Sequence, residues 1–119
     1  MNKFILVFLA LIFSTSFSFA QSVKKTDEIK ILTSAQCGQC KTRIETALAY
    51  EKGIVKSNLD VNSKVVTVEY KIGKTTPEKI RKAISAVGYD ADEVLADEQA
   101  YKKLPPCCKK SDDPDYIGH

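Results

Sequence analysis

With 119 residues, the chain has room for one small domain around a single modest core. Its 18 basic and 15 acidic side chains are interspersed and sum to a formal charge of +3, which describes a solvated surface and excludes a nucleic-acid-binding face. The only histidine is the terminal His119, so neither a Ser/His/Asp set nor a histidine-centred acid–base pair can be assembled, and the chain is not expected to be an enzyme.

The first twenty residues read as a secretory signal peptide: Lys3 precedes the apolar run Phe4 to Phe13, and "STSFSFA" ends in the small residues of a cleavage site, Ser18 and Ala20. The apolar run falls short of the roughly 20 residues a helical span needs, and no cysteine follows it closely for lipid attachment. The expected mature chain starts at Gln21, has no membrane span and is periplasmic or secreted, with an uncleaved anchor as the alternative. Residues 21–27 are polar and read as a flexible lead-in.

"EIKILT" from Glu28 alternates, with Ile29 and Ile31 on one side, and predicts a half-buried strand. After "SAQCGQC" the stripe Cys40, Ile44, Ala47 and Leu48 predicts an amphipathic helix that stops at Gly53. "IVKSNLDV" and "VVTVEY", rich in β-branched residues and separated by the turn-prone "NSK", predict a hairpin. Thr76 as N-cap and Pro77 at the first helical position open a second helix, whose apolar positions are Ile80, Ala83, Ile84 and Val87 before Gly88. "YDADEVL" is expected to supply a final short strand, "DEQAYKKL" one or two helical turns capped by Asp97, and "PPCC" leads into a polar, disordered-looking end. The predicted class is α+β: a ferredoxin-like βαββαβ sandwich, a four-stranded antiparallel sheet with two helices on one face and a short C-terminal helical extension.

The cysteines form two tight pairs, Cys37 with Cys40 and Cys107 with Cys108, rather than staples spread through a core. A loop entering a helix presents unpaired N–H groups and the positive end of the helix dipole, which favour thiolate. Lys41 and Arg43 add positive charge with no acid between residues 33 and 44, so Cys37 or Cys40 is expected to ionise below the ordinary thiol value. Two such thiolates suit a soft cation: copper(I), zinc or a heavy thiophilic ion. The same Cys-x-x-Cys also fits thiol–disulfide exchange or a structural disulfide.

The segments "TSAQCGQC", "VVTVEY" and "IRKAISAVGYDA" together resemble the heavy-metal-associated domain, the module of copper chaperones, transport-ATPase N-terminal domains and periplasmic mercury-binding proteins. The resemblance covers residues 28–95 and leaves 96–119 as an extension. It implies that Cys37 and Cys40 hold a soft metal ion (copper(I), mercury(II) or zinc) and pass it by thiolate exchange to a membrane metal transporter or acceptor protein, the carrier being a monomer. Two positions depart from the family: Ser34 and Ala35 stand where Gly-Met is usual, which predicts a looser metal loop. Tyr89 falls where bacterial members carry an aromatic residue near that loop, and equally fits packing over the sheet edge.

A thioredoxin-like oxidoreductase is the rival reading. It would need a proline loop facing the dithiol, whereas Pro77 opens a helix. Asp90, Asp92, Glu93, Asp97 and Glu98 read as a solvated face or as a docking patch for a basic partner. "LPPCCKK" is expected to matter for the metal. From a chain exit at Leu95, placed at the sheet end opposite Cys37, a short helix and a stiff Pro-Pro stretch would carry the tail back over the loop. One of Cys107 and Cys108 would then be a third metal ligand, the other optional.

Overall fold

The computed structural model describes residues 24–118; the expected signal peptide, residues 21–23 of the lead-in and His119 lie outside the described residues, and the lead-in's last two residues, Thr26 and Asp27, belong to the first strand rather than to a flexible segment. Three strands, β1 (Thr26–Leu32), β2 (Ile54–Asp60) and β3 (Val65–Lys71), form an antiparallel sheet in the order β1-β3-β2. Two helices, α1 (Gly38–Ala49) and α2 (Pro77–Ala86), share a core with it, and a short α3 (Glu98–Lys102) and a 3-10 turn (Pro106–Cys108) follow. No helix among the described residues is long and apolar enough to cross a membrane.

Register explains which side chains go inward. Ile31, Val66 and Leu59 form one rung across the sheet, and Ile29, Val68 and Ser57 the next. Because side chains alternate along a strand, these rungs share a face, and Ile31, Val66, Val68 and Leu59 are fully buried on it. A bulge between Ile54 and Lys56 leaves Val55 exposed. Helix α1 lays Cys40, Ile44 and Leu48 onto this face and α2 adds Ile80 and Ile84, each fully buried; an aliphatic side chain buried in this way contributes about 1.5–3 kcal/mol. Thr76 caps α2 through a bond its side chain accepts from the Lys79 N–H at 3.3 Å.

The predicted fourth strand does not form. Ala91 makes a single bridge to Thr33, then pairs back on Val94. Asp92, with φ 51°, turns the chain between them, its N–H donating to the Leu32 carbonyl at 2.8 Å and its carboxylate accepting from the Leu32 N–H at 2.9 Å. The Arg81 guanidinium holds the same carboxylate at 2.9 Å. A side chain thus occupies the place of ladder bonds, and the chain doubles back at the end of β1 instead of running along it. The expected exit at the opposite end of the sheet is thereby corrected: Leu95 accepts a 2.7 Å bond from the Ser85 hydroxyl beside the C-terminus of α2, and the tail starts on the cysteine side.

The tail is not a loose end either. Lys109, buried, donates to the Tyr101 and Lys102 carbonyls at 3.1 and 3.2 Å and lies 4.7 Å from the Tyr101 ring centre, closing the C-terminus of α3. The Tyr101 hydroxyl donates to Asp113 at 2.6 Å and accepts from the Lys110 N–H at 3.0 Å. Lys110 reaches back to Asp90 at 2.7 Å, and Leu104 and Cys108 join the core.

Candidate metal centre

Cys37 is the N-cap of α1 and Cys40 lies in its first turn, so the loop delivers one sulfur to the helix mouth and the helix turns the other into the core. The loop before them is pinned. The Thr33 N–H and hydroxyl both donate to the Lys64 carbonyl, at 2.9 and 2.8 Å. Thr33 Oγ1 accepts from the Ala35 N–H at 3.2 Å, and Ser34 Oγ accepts from the Asp90 N–H at 2.9 Å. Ala35 is fully buried, and Ser34 ties the loop to the segment after α2.

The tail brings the second cysteine pair to the first. Cys37 Sγ lies 3.6 Å from Cys40 Sγ, 3.9 Å from Cys107 Sγ and 3.9 Å from Cys108 Sγ. The sulfurs of Cys37, Cys40 and Cys108 all fall within 4.8 Å of one another, a grouping that could hold a metal ion. No pair is at the 2.05 Å or so of a disulfide, and all four are free thiols. With metal–sulfur bonds of about 2.3 Å, two sulfurs in line would stand about 4.6 Å apart, three in a trigonal plane about 4.0 Å and four in a tetrahedron about 3.8 Å. The spacings around Cys37 match the trigonal and tetrahedral values.

Electrostatics separates the thiols. Partial burial works against ionisation of Cys37, but the backbone N–H groups of Cys40 and Gln39 at the helix start, together with the Cys40 and Cys107 thiols, outweigh it and draw Cys37 below its ordinary value. The N–H groups act as the positive end of the helix, without a formed side-chain cap bond. Lys41 is not part of this, contrary to expectation: its ammonium is spent on Glu45 at 2.9 Å, Asn58 at 3.0 Å and the Leu59 carbonyl at 2.9 Å, which fasten α1 to β2. Burial pushes the Cys108 thiol up, with Cys40 adding to it. Cys107 is also raised, by desolvation and by the Cys37 sulfur beside it.

Tyr89 closes the buried side of the cluster. It is fully buried, and its hydroxyl faces the sulfurs of Cys40 and Cys108 without a hydrogen bond of good geometry. Its place under the thiols decides between the two sequence readings in favour of the metal loop. Among the acidic residues of 90–98, Asp90 is partnered by Lys110 and the Ala96 N–H, Asp92 by Arg81 and Leu32, and Asp97 is the cap of α3, while Glu93 and Glu98 are exposed. Sequence reasoning missed Gln39, whose side-chain oxygen accepts from Cys107 Sγ at 3.4 Å, because a glutamine in a loop carries no pattern.

The domain that carries the Cys37–Cys40 loop has known relatives. The sequence pattern described as "Heavy-metal-associated domain" matches residues 34–90. The chain is 32% identical over 65 residues to the copper chaperone CopZ of Staphylococcus epidermidis, covering 55% of this chain and 96% of that one. The chain belongs to the heavy-metal-associated domain family. Among solved structures, this domain resembles a CopZ metallochaperone at 26% identity and TM-score 0.53, over 55% of this chain and 98% of the other. It shares the fold of oxidized MerP from Ralstonia metallidurans CH34 at 20% identity and TM-score 0.54, over 56% and 94% of the two chains. These matches leave over 40% of the chain outside the shared region. The tail thiols thus lie beyond the matched residues 34–90, and the structure brings them to the Cys37–Cys40 loop as the tail's length led one to expect.

Proposed function

We propose that this protein is an exported carrier or buffer for a soft metal ion, copper(I) or mercury(II) with zinc as a further candidate. Cys37, Cys40 and one of the tail cysteines Cys107 and Cys108 hold the ion, and it passes by thiolate exchange to a membrane metal transporter or an acceptor protein. The observation that carries this reading is the set of sulfurs 3.6–3.9 Å around Cys37 in a heavy-metal-associated domain. Relatives named as copper chaperones, and a probable copper-importing P-type ATPase of Enterococcus hirae that is 29% identical over 77 residues, support both the cargo and the kind of acceptor. Export rests on the apolar leader of the sequence.

The test is titration of reduced protein without air, one ion at a time, against a chelator of known strength. One ion per chain is expected for copper(I) or mercury(II), with none in the C37S/C40S variant. X-ray absorption should count three sulfurs in the intact chain and two in C107S/C108S. Cys40 is wholly buried, so its replacement by serine should lower stability by about 1–3 kcal/mol while circular dichroism stays native. Undiminished binding by C37S/C40S, or its complete unfolding, would overturn the assignment. Two sulfurs in both proteins would remove the tail from the site.

A further inference from the structure

The vicinal pair Cys107–Cys108 places one sulfur inside and one at the edge. Both belong to the 3-10 turn Pro106–Cys108, in which successive side chains point about 120° apart. Cys108 turns inward, 1% exposed, into the group with Cys37 and Cys40. Cys107 turns outward: it is half-buried, lies 3.9 Å from Cys37, donates to Gln39 at the surface and stands outside the three-sulfur group. The turn is fixed in this attitude by bonds from the Cys108 N–H to the Pro105 carbonyl at 2.8 Å and from the Ile117 N–H to the Pro106 carbonyl at 3.3 Å. An ion among Cys37, Cys40 and Cys108 would have two of its three ligands sealed from solvent. An acceptor's thiolate could reach it only past Cys37 and Cys107.

We propose that Cys107 is the transfer ligand of the site: cargo enters and leaves through a Cys37–Cys107 pair, while Cys108 is the resident third ligand. This rests on the carrier reading above. In the outward step a bond forms from the ion to Cys107 Sγ while the bonds to Cys108 Sγ and then Cys40 Sγ break, Cys37 staying bonded throughout as the pivot. The Cys107 thiol proton passes to water, and the released Cys108 and Cys40 sulfurs each take one up from water. The ion keeps its charge and no electrons change hands. Gln39 Oε1 holds the Cys107 S–H at the surface until an ion replaces its proton.

The experiment loads the full mature chain, wild type and the single variants C107S, C107A and C108S, with mercury(II) and separately with copper(I). It then follows removal of the ion by a small dithiol in stopped flow, beside equilibrium affinity and the sulfur count by X-ray absorption. Because the ion must then be taken directly from ligands two of which are buried, C107S and C107A should transfer about tenfold or more slowly, with affinity within about threefold of wild type and three sulfurs retained. C108S should drop to two inner sulfurs and lose affinity. Wild-type speed in both Cys107 variants, with three sulfurs, overturns this inference alone. So does a lost sulfur in C107S, which would make Cys107 a resident ligand. A wild-type chain that takes up neither ion overturns the carrier reading and this inference with it.

Discussion

Replacing Tyr89 by phenylalanine removes one oxygen and changes no packing volume of consequence, which makes its effect a direct reading of the hydroxyl. In the metal-free protein that hydroxyl is buried without a partner, so it carries a desolvation cost that no bond offsets. A buried unsatisfied polar group costs about 1–3 kcal/mol. Metal-free Y89F should therefore be more stable than wild type by up to that amount, and its Tm should rise by about 4–8 °C for each kcal/mol. Once an ion converts Cys40 and Cys108 to thiolates, the hydroxyl facing them gains charged acceptors, and hydrogen bonds to charged groups are worth about 1.5–3 kcal/mol. The sign then reverses: Y89F should bind copper(I) or mercury(II) about 10- to 100-fold more weakly. Thermal melts of metal-free and loaded forms, closed into a cycle with competition titrations, measure both legs. A metal-free Y89F that melts below wild type would refute the reasoning, because the hydroxyl would then have a partner worth more than its desolvation.

Cys37 is the thiol drawn below its ordinary value while Cys107 and Cys108 are raised, so iodoacetamide at neutral pH should label Cys37 first, by peptide mapping, even though Cys107 lies as near the surface; labelling of Cys107 first would contradict this. Partial burial opposes ionisation of Asp90, yet Lys110 and the Ala96 N–H hold its carboxyl below the ordinary value. Its folded-state pKa being the lower one, the stabilisation is complete above the unfolded value of about 3.9 and is lost as pH falls through the folded value. D90N should flatten that part of the curve of urea midpoint against pH, and parallel curves would count against the clamp. Gly88 has φ 100°, and a Cβ there would stand 3.0 Å from the backbone of Ala100 and Tyr101. G88A should cost more than about 1 kcal/mol by chemical denaturation; a loss under half of that would show that α3 can move aside.

The elements written in local pattern were legible. Ile29 and Ile31 marked β1, Thr76 and Pro77 marked the start of α2, and the β-branched runs marked the hairpin, because each signal lies within one element. The fourth strand failed for a reason that is tertiary: "YDADEVL" has strand-like composition, but Asp92 finds the Leu32 backbone and Arg81 and turns the chain instead. The convergence of the cysteines could be expected from tail length, although the route assumed was wrong, since the tail starts beside the loop. The order of the tail could not be read, because it rests on contacts such as Lys109 over Tyr101 and Tyr101 with Asp113, which leave no period in the sequence. Nor could the inward and outward parts taken by two adjacent cysteines, which a single 3-10 turn decides.

The sulfurs of Cys37 and Cys108 meet across 71 positions of chain. A chain synthesised from its N-terminus therefore exposes a two-thiol loop well before its last sulfurs exist, and the complete cluster must await closure of nearly the entire domain, a contact that comes late because its loop entropy is paid before any reward. If the chain is exported as proposed, this interval is when its first two cysteines are most open to pairing with each other. Arrival of the tail ends it by bringing Cys107 and Cys108 within 3.9 Å of Cys37. The extension thus doubles as a built-in chaperone of its own thiols, and a chain stopped short of Pro106 would be exposed to oxidants in a way the full-length protein is not.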